Sequence, residues 1–282
     1  MDGRSAGPLI GVSGPDEGGW PAWFFTRLVL WRCGARARRL TPSRDVDVSE
    51  LDGLIIGGGA DVTEPLSDAL EEQDDAELEP GGAVSSAAGT VSSREERTRW
   101  LHLLLAPLIL LIRWLGSRSG HGADTARDQL EQRLLVEADR RALPVFGICR
   151  GAQLMSVVNG GQLVRDVNTL YEERPRLYTV LPRRRVRLEA GTLMRRVAGC
   201  DHALVNSLHH HAVQSVGRGF TVAAREAEGV VQAVERRQPV LWWGVQWHPE
   251  YLPQSALQLE LMRFWVGVCR ATAGQRRHLP GV

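Results

Sequence analysis

The sequence predicts an α/β fold in which a central, mostly parallel sheet carries helices on both faces. Three observations lead there. Short apolar runs alternate with helical patterns over residues 9–56 and 123–158. One run passes straight into Gly57, Gly58 and Gly59, a glycine turn that suits the carboxyl end of a parallel strand. Another, residues 143–148, ends at a cysteine set between Gly147 and Gly151 and leads at once into a helical pattern.

Taken in order, residues 9–12 form the first expected strand. Residues 22–32, rich in Trp, Phe and Leu, form a helix closed by Gly34, which can take the left-handed conformation of a helix end. Strands are expected over 35–40, stopping before Pro42, and over 51–56. Residues 123–141 form a long amphipathic helix with Leu130, Leu134, Leu135 and Ala138 on one face. Residues 143–148 are the strand that carries Cys149, and 150–158 the helix behind it. Further strands are expected over 186–188, 203–205, 220–224, 230–234 and 240–246, several separated by glycines and polar turns. Residues 254–268 form a closing helix.

The chain reads as one domain, 1–282, with an atypical stretch at 62–122. That stretch is first acidic, then small and polar, then leucine-rich from Leu101 to Leu115. A membrane-spanning helix needs about 20 apolar residues, and this run is shorter and contains Pro107. A buried packing element is the plain reading. Flanking Trp100, Arg113 and Trp114 also suit peripheral contact with a membrane, or a surface for a second copy of the chain.

Charge and cysteines narrow the function. With 34 basic and 33 acidic residues the net charge is +1, so no nucleic-acid partner is expected. Every basic residue is arginine, so lysine chemistry is excluded. Cys33, Cys149, Cys200 and Cys269 form no CxxC pair, and their spacing suggests free thiols in a reducing, cytoplasmic setting. The polar, glycine-rich residues 1–8 do not read as a signal peptide.

Four motifs carry chemistry. A cysteine on a strand-to-helix turn faces the helix N-terminus, which favours thiolate. Taken alone, such a cysteine is more often a buried hydrophobe. Trp247-His248-Pro249-Glu250 follows an apolar strand, so His248 can act as base and Glu250 can orient it; a plain surface loop is the alternative. Gly58 or Gly59, with the N–H of Arg150, could hold an oxyanion. A phosphate loop is excluded there, because no GK[ST] follows. In Asn206-Ser207-Leu208-His209-His210-His211, consecutive side chains diverge, which favours substrate contact or support of a site over metal ligation.

Together these stretches resemble the class I glutamine amidotransferase-like hydrolases, in particular the gamma-glutamyl-gamma-aminobutyrate hydrolase (peptidase C26) group. The resemblance rests on the turn from Gly57 to Asp61, Arg127-Asp128-x-x-Glu131 and the cysteine motif from Gly147 to Gln153. It continues through Asn159-Gly160-Gly161, Asp166, the stretch from Val205 to His210, and that from Gly244 to Glu250, all in the family's order. Where the family commonly has Gln after the His pair, this chain has His211.

The resemblance implies a flavodoxin-like amidotransferase fold and a Cys149-His248-Glu250 triad. It implies an oxyanion hole from Gly58, Gly59 and Arg150, and substrate contacts from Gln153, Asn206, Ser207, His209 and His210. It implies no metal and no organic cofactor. The expected activity is hydrolysis of a γ-glutamyl amide, such as γ-glutamyl-γ-aminobutyrate, through a γ-glutamyl thioester; polyamine catabolism is the setting it suggests. Two other readings stand beside it. One is a glutaminase subunit feeding ammonia to a separate synthase. The other is a membrane-associated binding protein with a vestigial site.

Overall fold

The computed structural model describes residues 7–44, 47–59, 124–170 and 178–278. The stretch at 62–122, including the run from Leu101 to Leu115 and its expected membrane or oligomer contact, lies outside the described residues. Among the described residues no helix is long and apolar enough to cross a membrane.

The chain begins with β1 (Leu9–Ser13), α1 (Trp20–Arg32), β2 (Arg36–Leu40) and β3 (Gly53–Ile56). Next come α2 (Thr125–Arg140), β4 (Val145–Ile148) and α3 (Arg150–Val158). The remainder comprises β5 (Gln162–Val164), β6 (Thr179–Leu188), α4 (Leu193–Ala198), β7 (His202–Ser207), β8 (Ala212–Ser215), β9 (Thr221–Arg225), β10 (Val231–Arg236), β11 (Trp242–Val245) and α5 (Ala256–His278).

The described strands form one mixed sheet in the order β2-β1-β3-β4-β11-β10-β9-β6-β7, with β8 and β5 branching from β10. From β2 to β11 every pairing is parallel; beyond β11 the pairings are antiparallel. β3 and β4 are buried at every position, as strands covered on both faces must be. Helix α2 presents Leu130, Leu134, Leu135 and Ala138 to one side of the sheet, where they join Leu54, Ile56, Val145 and Trp242. On the other side α1 and α5 supply Val29, Leu30, Met262 and Trp265 against Ile10, Ile55, Phe146 and Trp243.

The expected elements are found, with local differences. Gly34 lies one residue beyond the C-cap Cys33 of α1, at φ 75°. The closing helix runs to residue 278 because Trp265, Val266, Cys269 and Ala273 continue its buried face. β6 starts seven residues before the expected 186, carrying Pro182 and several arginines; its register with β7 shifts between Thr179 and Arg184. A strand this polar shows no period-two signal. β5, β8 and α4 escaped the sequence reading because each is too short to show a period.

Candidate active site

Three neighbouring parallel strands, β3, β4 and β11, bring the site together at their carboxyl ends. β3 runs into Gly57–Gly59, β4 into Cys149, and β11 into the stretch that holds His248 and Glu250.

Cys149 sits at φ 51°, ψ −105°, in a region that side-chain-bearing residues rarely enter. Its N–H is tied to the Val245 carbonyl at 2.7 Å, and its own carbonyl accepts from Ala152 at 3.0 Å in the first turn of α3. The glycines around it make room for this sharp turn. A Cβ at Gly151 would lie 2.2 Å from the Ile56 carbonyl oxygen, and one at Gly147 would lie 2.5 Å from Met155 Sδ. Helix α3 therefore packs close against β3 and β4, with its N-terminus at the sulfur.

His248 Nδ1 and Glu250 Oε1 are 2.7 Å apart, and both residues are buried. Burial alone would push the imidazole down. Glu250 and the Cys149 sulfur beside it outweigh that, and together they hold its pKa up at about 10. The ring also stacks on Tyr251, with centroids 5.5 Å apart. Asn206 clamps the His248 backbone from both sides: its Nδ2 donates to the His248 carbonyl at 2.9 Å, and its Oδ1 accepts from the His248 N–H at 2.8 Å. Of the two expectations for this stretch, substrate contact or support of a site, these bonds show Asn206 supporting His248.

Gly58 borders both His248 and Cys149. A Cβ there would lie 2.6 Å from His248 Cε1 and 3.6 Å from Cys149 Cβ, so only glycine fits beside an undisturbed imidazole. A Cβ on Gly59 would lie 2.3 Å from Arg127 Nη1. The turn is held from beneath by Arg127, whose Nη2 donates to the carbonyls of Gly57 at 2.9 Å and Gly58 at 3.0 Å. Arg127 Nε pairs with Glu131 at 2.7 Å, and Ser13 Oγ donates to the same carboxylate at 2.6 Å while accepting from Gly57 N–H at 3.1 Å. Arg150 contributes to the site by its backbone at the start of α3; its guanidinium turns away to Asp128 and Glu131. One buried carboxylate, Glu131, therefore links the glycine turn to the cysteine turn.

The remaining expected contacts separate. Gln153 is buried; its Nε2 donates to the His211 carbonyl at 3.0 Å and to Gln246 Oε1 at 3.2 Å, while its Oε1 is buried without a hydrogen-bond partner among the described residues. Ser207 Oγ is likewise buried and unbonded among the described residues. His209 is buried between the His211 carbonyl and Gln232, so it braces the loop. His210 is exposed, its ring 5.7 Å from that of Tyr178. A small open crevice lined by Ser13, Trp23, Arg39, Gly57, Gly58 and Glu250 adjoins the glycine turn.

Sequence reasoning missed Ser13, Tyr251 and the contact of Gln246 with the sulfur. For Gln246 a signal existed. It stands two residues before His248 at the end of a strand, where such positions share a face.

Comparison with known proteins adds the following. The peptidase C26 family model matches residues 115–250. A gamma-glutamyl-gamma-aminobutyrate hydrolase of Escherichia coli O157:H7 is 33% identical over 167 residues, which cover 56% of this chain and 66% of that protein. The chain spans between 48% and 66% of the length of the first curated relatives it matches. Among solved structures, a GMP synthase-type protein of Thermoplasma acidophilum superposes with a TM-score of 0.60 at 16% identity, covering 96% of this chain and 98% of its own. A glutamine amidotransferase of Methylobacillus flagellatus superposes with a TM-score of 0.50 at 14% identity, covering 96% of this chain and 95% of its own. The fold is that of the class I glutamine amidotransferases.

Proposed function

Because residues 115–250 belong to the peptidase C26 family, we propose that this chain hydrolyses γ-glutamyl amides through a thioester on Cys149. The observation that carries the reading is the meeting of three strand ends. A strained cysteine, a carboxylate-held histidine and a glycine turn lie side by side. The amine half of the substrate is proposed from the named E. coli relative as an aliphatic amine such as γ-aminobutyrate.

The geometry supports the following steps. With Nδ1 engaged by Glu250, His248 handles protons at Nε2. Its raised affinity for a proton makes it imidazolium at neutral pH. The sulfur attacks as thiolate, the nucleophilic form of a thiol. The sulfur bonds to the γ-carbonyl carbon, and the carbonyl electron pair moves onto oxygen. The N–H groups of Gly58, Gly59 and Arg150 receive that charge. The C–N bond then breaks as His248 gives its proton to the departing nitrogen. Water adds to the thioester while His248 takes a proton from it, the C–S bond breaks, and glutamate leaves. Gln153 Oε1 and Ser207 Oγ, buried and unbonded among the described residues, are the polar atoms proposed to meet the γ-glutamyl end.

The test is glutamate release from γ-glutamyl-γ-aminobutyrate and a panel of γ-glutamyl amines and anilides. Cys149→Ala is expected to lose at least about 10³-fold in kcat, the scale seen when a nucleophile is removed. Turnover that survives this substitution overturns the assignment.

A further inference from the structure

Gln246 has no part in the steps above, yet it touches the reacting atom. It is buried, and its Nε2 lies 3.5 Å from Cys149 Sγ. Its Oε1 accepts from Gln153 Nε2 at 3.2 Å, and that same nitrogen donates to the His211 carbonyl at 3.0 Å.

The last contact sets the direction of the whole chain. A carbonyl oxygen only accepts, so the atom of Gln153 facing His211 must be the amide nitrogen. The second N–H of that nitrogen needs an acceptor, and Gln246 offers its oxygen. The amide of Gln246 is thereby turned with its N–H groups toward the sulfur. Its orientation is dictated from outside the triad, by a backbone atom. The relay also uses only the carbonyl of His211, so it does not depend on which side chain stands at that position.

We propose that Gln246 is a further catalytic residue, donating a hydrogen bond to the Cys149 sulfur and stabilising it as thiolate. A donor to the charged form favours that form. The thioester sulfur is a weaker acceptor than the thiolate. The bond therefore strengthens again when the C–S electron pair returns to sulfur during release of the acyl group. The charged and titratable groups nearby are His248 and Glu250 from the turn after β11. On the other sides Arg150 is turned onto Asp128 and Glu131, and Arg127 lies beneath the glycine turn. Gln246 adds a neutral donor to that charged set.

The experiment follows alkylation of Cys149 by iodoacetamide as a function of pH, quantified on the Cys149 peptide by mass spectrometry. Burial pushes the Cys33 thiol up to about 11, so it remains protonated in the working range, and peptide mapping separates it in any case. In Gln246→Leu the midpoint of the Cys149 profile is expected to rise by about one pH unit, the scale of one hydrogen bond to a charged group. Isosteric Gln246→Glu moves it further, because a second negative charge opposes the thiolate. Gln153→Leu, which frees the amide to rotate, gives a smaller rise. A folded Gln246→Leu or Gln246→Glu protein, judged by circular dichroism, whose profile overlays that of the wild type overturns the proposal. Should the leucine variant not fold, the glutamate variant decides the question in the same way. The inference rests on Cys149 as nucleophile, but alkylation reads the sulfur without any substrate. A protein that shows the expected shifts and cleaves no γ-glutamyl amide would sink the substrate reading alone.

Discussion

At the scale of single residues, the site depends on atoms held where they would not settle alone. A side-chain-bearing residue at φ 51° costs of order 1–3 kcal/mol. The turn survives because the Cys149 N–H and carbonyl are both bonded and because glycines at 147 and 151 leave nothing to collide with. His248 is held in a charged state against the pull of burial, mainly by Glu250 and then by the sulfur. That gives a pH dependence with a definite sign. In the proposed mechanism the free enzyme carries the proton on His248, so kcat/KM should stay level through neutral pH and fall as pH rises through about 10. Glu250→Gln removes the first stabilising charge and should bring this alkaline limb to lower pH, as read from kcat/KM profiles of the two proteins. An unmoved limb means that Glu250 does not set the state of the imidazole. The cysteine turn and the His-x-Glu stretch were legible in the sequence because each is written within a few consecutive positions. The role of Asn206 was not, because its partner is a backbone lying 42 positions away.

At the scale of elements, helix α2 does more than cover the sheet. One face carries the leucines that the periodicity disclosed. The turn at its start, capped by Asp124 accepting from Arg127 N–H at 3.0 Å, carries Arg127, Asp128 and then Glu131 into the interior. The i, i+4 spacing of Arg127 and Glu131 was visible, but Ser13 and Arg150, which complete the cluster, come from β1 and α3. A helical pattern cannot name partners on other elements, so the sequence showed the motif without its task. Glu131→Leu leaves two buried guanidinium groups short of their shared partner. Breaking such a buried pair costs about 3–5 kcal/mol. Chemical denaturation should show a loss on that scale, and a second effect separates this helix from an ordinary structural one. Because the cluster carries both the Gly57–Gly58 carbonyls and the Arg150 end of α3, kcat should fall under conditions where the variant is still folded. Loss of stability with unchanged kcat would reduce the cluster to packing.

At the scale of the whole molecule, the sheet joins two kinds of strand. The parallel part was legible because buried strands and crossover helices alternate in the chain. That β11 would lie beside β4 was not, because strand order is decided by packing between segments about a hundred residues apart. That one placement unites the motifs and also lets α5 return over the parallel part, where Cys269 is buried among Gly53, Ile10 and Trp265. A Cβ at Gly53 would lie 2.5 Å from the Cys269 sulfur, so strand and helix meet with no slack. Burial pushes this thiol well above its ordinary value of 9.0, and Cys33 at the end of α1 up to about 11. For a thiol whose folded value is raised, the stabilisation is complete below about 9 and is lost as pH rises from there, since the unfolded chain ionises first. Ionisation of the fully buried Cys269 should then remove up to about 1.4 kcal/mol per pH unit in that range. Stability measured by denaturation from pH 8 to pH 10.5 should decline more steeply above pH 9. Cys269→Ala should be less stable at pH 8, where the packing loss alone counts, and should decline less steeply above pH 9. Parallel curves for the two proteins would mean that the helix opens locally to let the thiol ionise, and that α5 is not held to the sheet as tightly as the contact at Gly53 requires.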